Sequence, residues 1–163
     1  MTLPILASCS ISLILFTANA FAADQRGFTI EDLVKMERIS APALSPDGSK
    51  LLYQIRTTDL DKNHGHTELW LMDLANATHL PQRFSNTEAN SSSAVWSARG
   101  DAIYFLSNRS GSAQVWRQSV HGGDASKVTD FPIEVASFRV APTEDRIAVS
   151  LEVFRDCPDL ACT

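Results

Sequence analysis

Two histidines one residue apart, His64 and His66, and the cysteines Cys157 and Cys162 come nearest in this chain to a spacing that does chemistry. His64-Gly65-His66 offers two imidazoles, whereas a structural zinc site takes about four N or S ligands and a catalytic one about three. The pair lies in the polar stretch Thr57 to Thr67, which reads as a solvent-exposed loop. No metal and no cofactor is therefore expected. Cys157 and Cys162 form an even pair, compatible with a local disulfide or with two free thiols. A bridge through Pro158 and Ala161 closes so small a ring that loop entropy gives it about 2 kcal/mol at best. Serine chemistry has no visible seat. The sequence contains no Gly-x-Ser-x-Gly, and Gly111-Ser112 falls in a turn without that spacing. The histidines are His64, His66, His79 and His121, all expected in loops and none with a recognisable Ser–Asp pairing. No catalytic residue is assigned.

What does organise the chain is a repeated phrase. Leu44-Ser45-Pro46-Asp47-Gly48-Ser49-Lys50-Leu51-Leu52-Tyr53 returns as Trp96-Ser97-Ala98-Arg99-Gly100-Asp101-Ala102-Ile103-Tyr104-Phe105, and again as Val140-Ala141-Pro142-Thr143-Glu144-Asp145-Arg146-Ile147-Ala148-Val149. Each copy reads as a strand end, a tight polar turn and an apolar strand. Ser45 and Ser97 are 52 residues apart, Ser97 and Ala141 are 44. Glu68-Leu69-Trp70 likewise matches Gln114-Val115-Trp116, 46 residues on, as an insertion between Tyr53 and Trp70 would produce. Phe84 and Val128, each followed by a hydroxyl residue, both stand thirteen residues before the next phrase. Strand-rich units of this period are the mark of β-propeller blades.

The expected fold is accordingly all-β: about two and a half TolB/WD-like blades of a partial β-propeller, over 43–163, preceded by a signal peptide and a short helix. A chain of 163 residues is too short for the roughly four to eight blades that close a ring. An incomplete ring leaves faces and strand edges uncovered, which predicts association of the isolated chain. Within the units, Leu51 to Ile55, Leu69 to Leu74, Ala102 to Leu106 and Gln114 to Val120 read as strands. Trp70 and Trp116, at matched places, are expected between neighbouring blades.

Composition narrows the partners. Apolar content of 44% and charged content of 20% are globular values. A net charge of −5 with no basic cluster argues against nucleic acid or an anionic membrane as partner. No charged residue precedes Asp24, Ile11 to Phe16 form an apolar core, and Ala20-Phe21-Ala22 fits signal-peptidase cleavage. Residues 1–22 are read as a secretory signal lacking the usual positive start, and an uncleaved anchor is the alternative. Cys9 would leave with the signal. Residues 23–42 read as a lead-in: Thr29 caps a short helix with Asp32 at the reciprocal position, and Ala41-Pro42 ends it.

Phe28-Thr29-Ile30-Glu31-Asp32-Leu33, then Arg38-Ile39-Ser40, Pro42 and Leu44-Ser45-Pro46-Asp47-Gly48, resembles the mature N-terminus of secreted prolyl-oligopeptidase-family serine peptidases. The likeness is to the bacterial dipeptidyl-peptidase and acylaminoacyl-peptidase-like branch. The closing stretch from Ser150 to Phe154, with Asp156-Cys157 and Leu160-Ala161-Cys162-Thr163, is similar to that branch too. The resemblance implies a propeller that caps a C-terminal α/β-hydrolase domain carrying Ser, Asp and His, and that admits short peptides. On that implication this chain contributes gating and not catalysis, meets peptide substrates through a hydrolase domain absent from it, and is secreted or periplasmic. The other reading is a TolB-like periplasmic propeller acting as a non-catalytic protein-binding module.

Overall fold

The computed structural model describes residues 26–76, 78–85 and 88–163. The expected signal at 1–22, with Cys9, lies outside them. Helix α1 (Ile30–Lys35) starts with the expected reciprocal cap: the Thr29 hydroxyl accepts from the Asp32 N–H, and the Asp32 carboxylate accepts from the Thr29 N–H at 2.9 Å. Met36 is already extended, so the helix stops before Ala41-Pro42 is reached. Among the described residues no helix is long and apolar enough to cross a membrane.

The sheet begins earlier than the 42/43 boundary expected from the sequence. Strand β1 (Arg38–Leu44) pairs antiparallel with β2 (Lys50–Asp59) inside the lead-in. Pro42 has no N–H to give the ladder. The strand absorbs it at a sheet edge with a register shift between Ser40 and Ala43, Ala41 taking φ +49°. Ser93, at the matching place of the second unit, has φ +54° beside the same kind of shift.

A second correction concerns Thr57 to Thr67, which is not a loop. β2 runs on to Asp59, and β3 begins at His64 and continues to Asp73, so the two form one long hairpin with a turn at 60–63. The six-residue insertion therefore lengthens strands. Polar composition suggested a loop, but Thr57, Thr58 and Thr67 are β-branched and fit a pleated edge. The two-residue β4 (Gln82–Arg83) completes the first sheet in the order β1-β2-β3-β4.

The second sheet repeats this order with β5 (Ser91–Trp96), β6 (Ala102–Ser107), β7 (Gln114–Ser119) and β8 (Ser126–Lys127). The third holds β9 (Val135–Val140) and β10 (Ile147–Leu151). Its register follows the second sheet: Trp96 opposes Ile103, and Val140 opposes Ile147.

The repeated phrase builds one turn three times. Ser45, Ser97 and Ala141 donate their N–H to the carbonyls of Lys50, Ala102 and Arg146 at 2.8–2.9 Å. The Ser45 and Ser97 hydroxyls accept from Lys50 and Ala102 and donate to Asp47 and Asp101. The fourth position must turn left-handed, and Gly48 (φ +72°) and Gly100 (φ +75°) do so without a side chain. The third copy puts Glu144 there at φ +59°.

Two apolar cores stack the sheets. Leu52 and Leu69 of the first meet Ile103 and Phe105 of the second, with Leu71, Phe84, Trp96 and Trp116 around them. Tyr104, Leu106 and Val115 of the second meet Val135 and Phe138 of the third. Every residue of β6 is buried, because alternate side chains serve opposite interfaces. Fully burying a side chain such as Phe105 is worth about 2–3 kcal/mol.

Candidate functional site

The chemistry-bearing residues named from the sequence do not converge. His64 lies exposed at the start of β3. His66 stands 3.4 Å from the Glu68 carboxylate, which Arg83 also approaches at 3.1 Å. His79 lies beside Asp73 and Asn76 in an exposed turn, and His121 is exposed after β7. His64 and His66 are thus strand residues, contrary to the loop expected for them. Among the described residues no group of three or more His, Cys, Asp or Glu is placed to hold a metal ion. Gly111-Ser112 sits in the turn between β6 and β7, where Ser112 Oγ accepts from the Gln114 amide at 3.2 Å. Cys157 and Cys162 are disulfide-bonded, their Cα atoms 5.4 Å apart, in the segment after β10.

The surfaces that carry specific geometry are those between sheets. Trp96 Nε1 donates to the Ala43 carbonyl at 3.1 Å, tying β5 of the second sheet to β1 of the first. Asn90 Oδ1 accepts from Thr67 N at 2.8 Å, and Asn108 Oδ1 accepts from Asn90 N at 3.0 Å. Glu144, from its left-handed position, accepts from Ala98 N at 2.9 Å and from the Tyr104 hydroxyl at 3.1 Å. Nothing in the sequence marked Glu144 beyond its standing where the other copies have glycine.

The matched tryptophans have different surroundings. Trp116 lies in the core shared by the first and second sheets, with the Arg109 guanidinium 4.9 Å from its ring centre. Trp70 opposes Tyr53 as Trp116 opposes Phe105. By alternation from Leu69 and Leu71, which face the second sheet, Trp70 faces the other side of the first. The expectation of an interblade position holds for Trp116; among the described residues no sheet stands against Trp70's side of the first.

Gln114 fastens the crossing to the third sheet. It is wholly buried; its Oε1 accepts from Thr129 Oγ1 and Phe131 N, and its Nε2 donates to the Phe131 and Ile133 carbonyls at 3.0–3.2 Å. Beside this crossing, between β6–β7 and β10, a cleft of about 410 Å³ is lined by Tyr104, Arg117, Val128, Phe131, Glu144 and Val149, among others.

Four-stranded antiparallel meanders stacked face to face define the β-propeller class, represented here by two full blades and the first two strands of a third. The chain belongs to the TolB β-propeller family: residues 28–153 match the family described as TolB beta propeller domain. Its relatives include peptidases. The uncharacterized peptidase YuxL of Bacillus subtilis is 26% identical over 126 residues, covering 77% of this chain and 19% of the relative. Dipeptidyl-peptidase 5 of Porphyromonas gingivalis is 33% identical over 87 residues, 53% of this chain and 12% of the relative. The acylaminoacyl peptidase of Pyrococcus horikoshii shares the fold, with a TM-score of 0.62 at 18% identity over 78% of this chain and 19% of that one. The likeness to the N-terminal propeller of prolyl-oligopeptidase-family peptidases is thus shown. The chain spans only 19% and 12% of the two curated relatives' lengths.

Proposed function

We propose that the chain is the propeller portion of a secreted serine peptidase that cleaves short peptides, and that its blades gate and orient substrate without performing the chemistry. The observation carrying this reading is the match to relatives named as peptidases, over 77% of this chain in YuxL, by blades that hold no Gly-x-Ser-x-Gly. The Ser nucleophile, its His base and an oxyanion hole would lie on a hydrolase domain of the full protein. Peptide substrates would reach it through the propeller, without nucleic acid, membrane or cofactor. Export is supported by the uncharged stretch at 1–22 with its Ala20-Phe21-Ala22 end, and by the Cys157–Cys162 bridge, which suits an oxidising compartment.

The test is labelling by a fluorophosphonate, which marks an activated serine. Protein made from the complete reading frame should label and should turn over dipeptidyl or acylaminoacyl chromogenic substrates; the 163-residue chain should do neither. Labelling of the pure 163-residue chain, or none in the full protein, would overturn the proposal. The TolB family match favours the second reading, a non-catalytic protein-binding propeller in the periplasm. That reading predicts further blades without a labelled serine.

A further inference from the structure

The insertion in the first blade carries its hairpin past the second. Tyr53↔Trp70 and Phe105↔Trp116 are matching pairs, so Ser107↔Gln114, which ends the ladder of β6 and β7, matches Ile55↔Glu68. The ladder of β2 and β3 runs four pairs further, from Arg56↔Thr67 to Asp59↔His64, about 13 Å of strand. The second blade is complete beside this arm. The side of the arm turned toward it therefore stays open however many blades follow.

Gly65 seats a guanidinium on that side. By alternation from Leu52 and Leu69, Arg56, Gly65 and Thr67 face the second blade. A Cβ at Gly65 would collide with Arg56 Nη2 and Cζ, so the Arg56 head lies against bare backbone. His64-Gly65-His66 thus contributes its glycine here. Among the described residues no carboxylate stands within ion-pair distance of Arg56.

The groups left open around this seat are donors. Thr67 N donates to Asn90 Oδ1, and Asn90 N to Asn108 Oδ1, which joins the root of the arm to the rim of the second blade. Both amides use their oxygens in these bonds and keep their Nδ2 hydrogens. Next in sequence to Asn108, the Arg109 guanidinium lies over the Phe105 and Trp116 rings. Its Nε donates to Ser107 Oγ, and its Nη2 is buried without an acceptor. Burial lowers the pKa of Arg109, and no carboxylate offsets it. An uncompensated charge among unfilled donors favours an anionic acceptor.

We propose that the corner between the hairpin arm and the rim of the second blade binds a peptide carboxylate, held by the Arg56 fork from its seat on Gly65, with Asn90, Asn108 and the charge of Arg109 beside it. A planar guanidinium matches a carboxylate through two parallel hydrogen bonds. A free peptide C-terminus and an acidic side chain present the same group. The site stands whether the whole protein is a peptidase or a binding propeller.

The probes are three peptides titrated into the isotope-labelled full chain and followed by NMR: acetyl-trialanine with a free carboxylate, its C-terminal amide, and the same amide with a central aspartate. The free carboxylate should shift the Gly65 N–H and Arg56 Nε–H signals saturably, and the trialanine amide should bind at least about tenfold more weakly. Binding by the aspartate peptide in place of the free terminus also supports the site and makes acidic side chains its source. Arg56→Gln should weaken binding about tenfold or more. So should Gly65→Ala, which unseats the guanidinium and keeps its charge. Equal binding by the trialanine acid and its amide, or parent-like binding by either variant, overturns the proposal. So does the lack of a saturable shift with both carboxylate peptides. The comparison of acid with amide changes only the ligand and leaves the fold of the chain untouched.

Discussion

Ser85 and Thr129 do the same work in successive blades: the Ser85 hydroxyl accepts from the Leu69 N–H, and the Thr129 hydroxyl from the Val115 N–H, both at 2.9 Å. The residue before each closes the pattern, Phe84 and Val128 donating their N–H to the carbonyls of Leu69 and Val115 at 2.8 Å. A side-chain oxygen thus takes the place of the next ladder bond where the fourth strand ends after two residues. Without it a buried N–H would be left bare.

Replacing Ser85 by Ala should therefore destabilise the chain by about 1–3 kcal/mol, the cost of an unsatisfied buried donor. Thr129→Val should cost as much or more, because Thr129 also donates to Gln114. Urea unfolding followed by tryptophan fluorescence measures both. A loss below about 0.5 kcal/mol would show that the hydroxyls are not structural.

Gln114→Leu strips partners from the Phe131 N–H and the carbonyls of Phe131 and Ile133 together. A loss of about 3 kcal/mol or more is expected, with hydrogen exchange accelerated at 129–133. If exchange there stays at the parent rate, Gln114 does not hold the crossing between blades.

Asp47 accepts from the Ser45 hydroxyl first, and from the Ser49 N–H and hydroxyl, which hold its carboxyl at about 2, below the ordinary 3.8. Asp101 is lowered in the same way, chiefly by Ser97. A carboxyl depressed by folding stabilises the fold above its unfolded value and loses that contribution as the pH falls through its folded one. The first turn should thus loosen between about pH 4 and pH 2. Ser45→Ala should move the Asp47 midpoint up toward 3.8 in an NMR titration. An Asp47 that titrates at the ordinary value in the parent chain contradicts the turn geometry.

Reducing the Cys157–Cys162 bridge, or replacing both residues by Ser, should cost about 2 kcal/mol at most, since the cysteines are only five positions apart. Differential hydrogen exchange should confine the change to residues after β10. Global unfolding on reduction would show that the bridge holds more than its own loop.

Much of this fold is legible in the chain because the same turn is written three times. Ser45 and Ser97 can each be read with their partners, and the matched hydroxyls at 85 and 129 announce their equivalence by spacing alone. The first strand was hidden by Pro42, which reads as a stop; only a bulge at a sheet edge accommodates it. The long hairpin through His64 was hidden by its polarity, since strands that extend past the core need no apolar alternation. Trp70 and Trp116 are equivalent within their blades, and their repeat spacing alone does not say which sheet stands against each. Glu144 escaped notice because its contacts, Ala98 and Tyr104, belong to another blade.

The central claim is that these blades are part of a serine peptidase, and the DNA that follows the Thr163 codon tests it most directly. The account predicts an open frame that continues through further repeats bearing tryptophan strands and on to a Gly-x-Ser-x-Gly. A frame that ends after the blades, with no such sequence, would contradict it and leave a propeller without a peptidase.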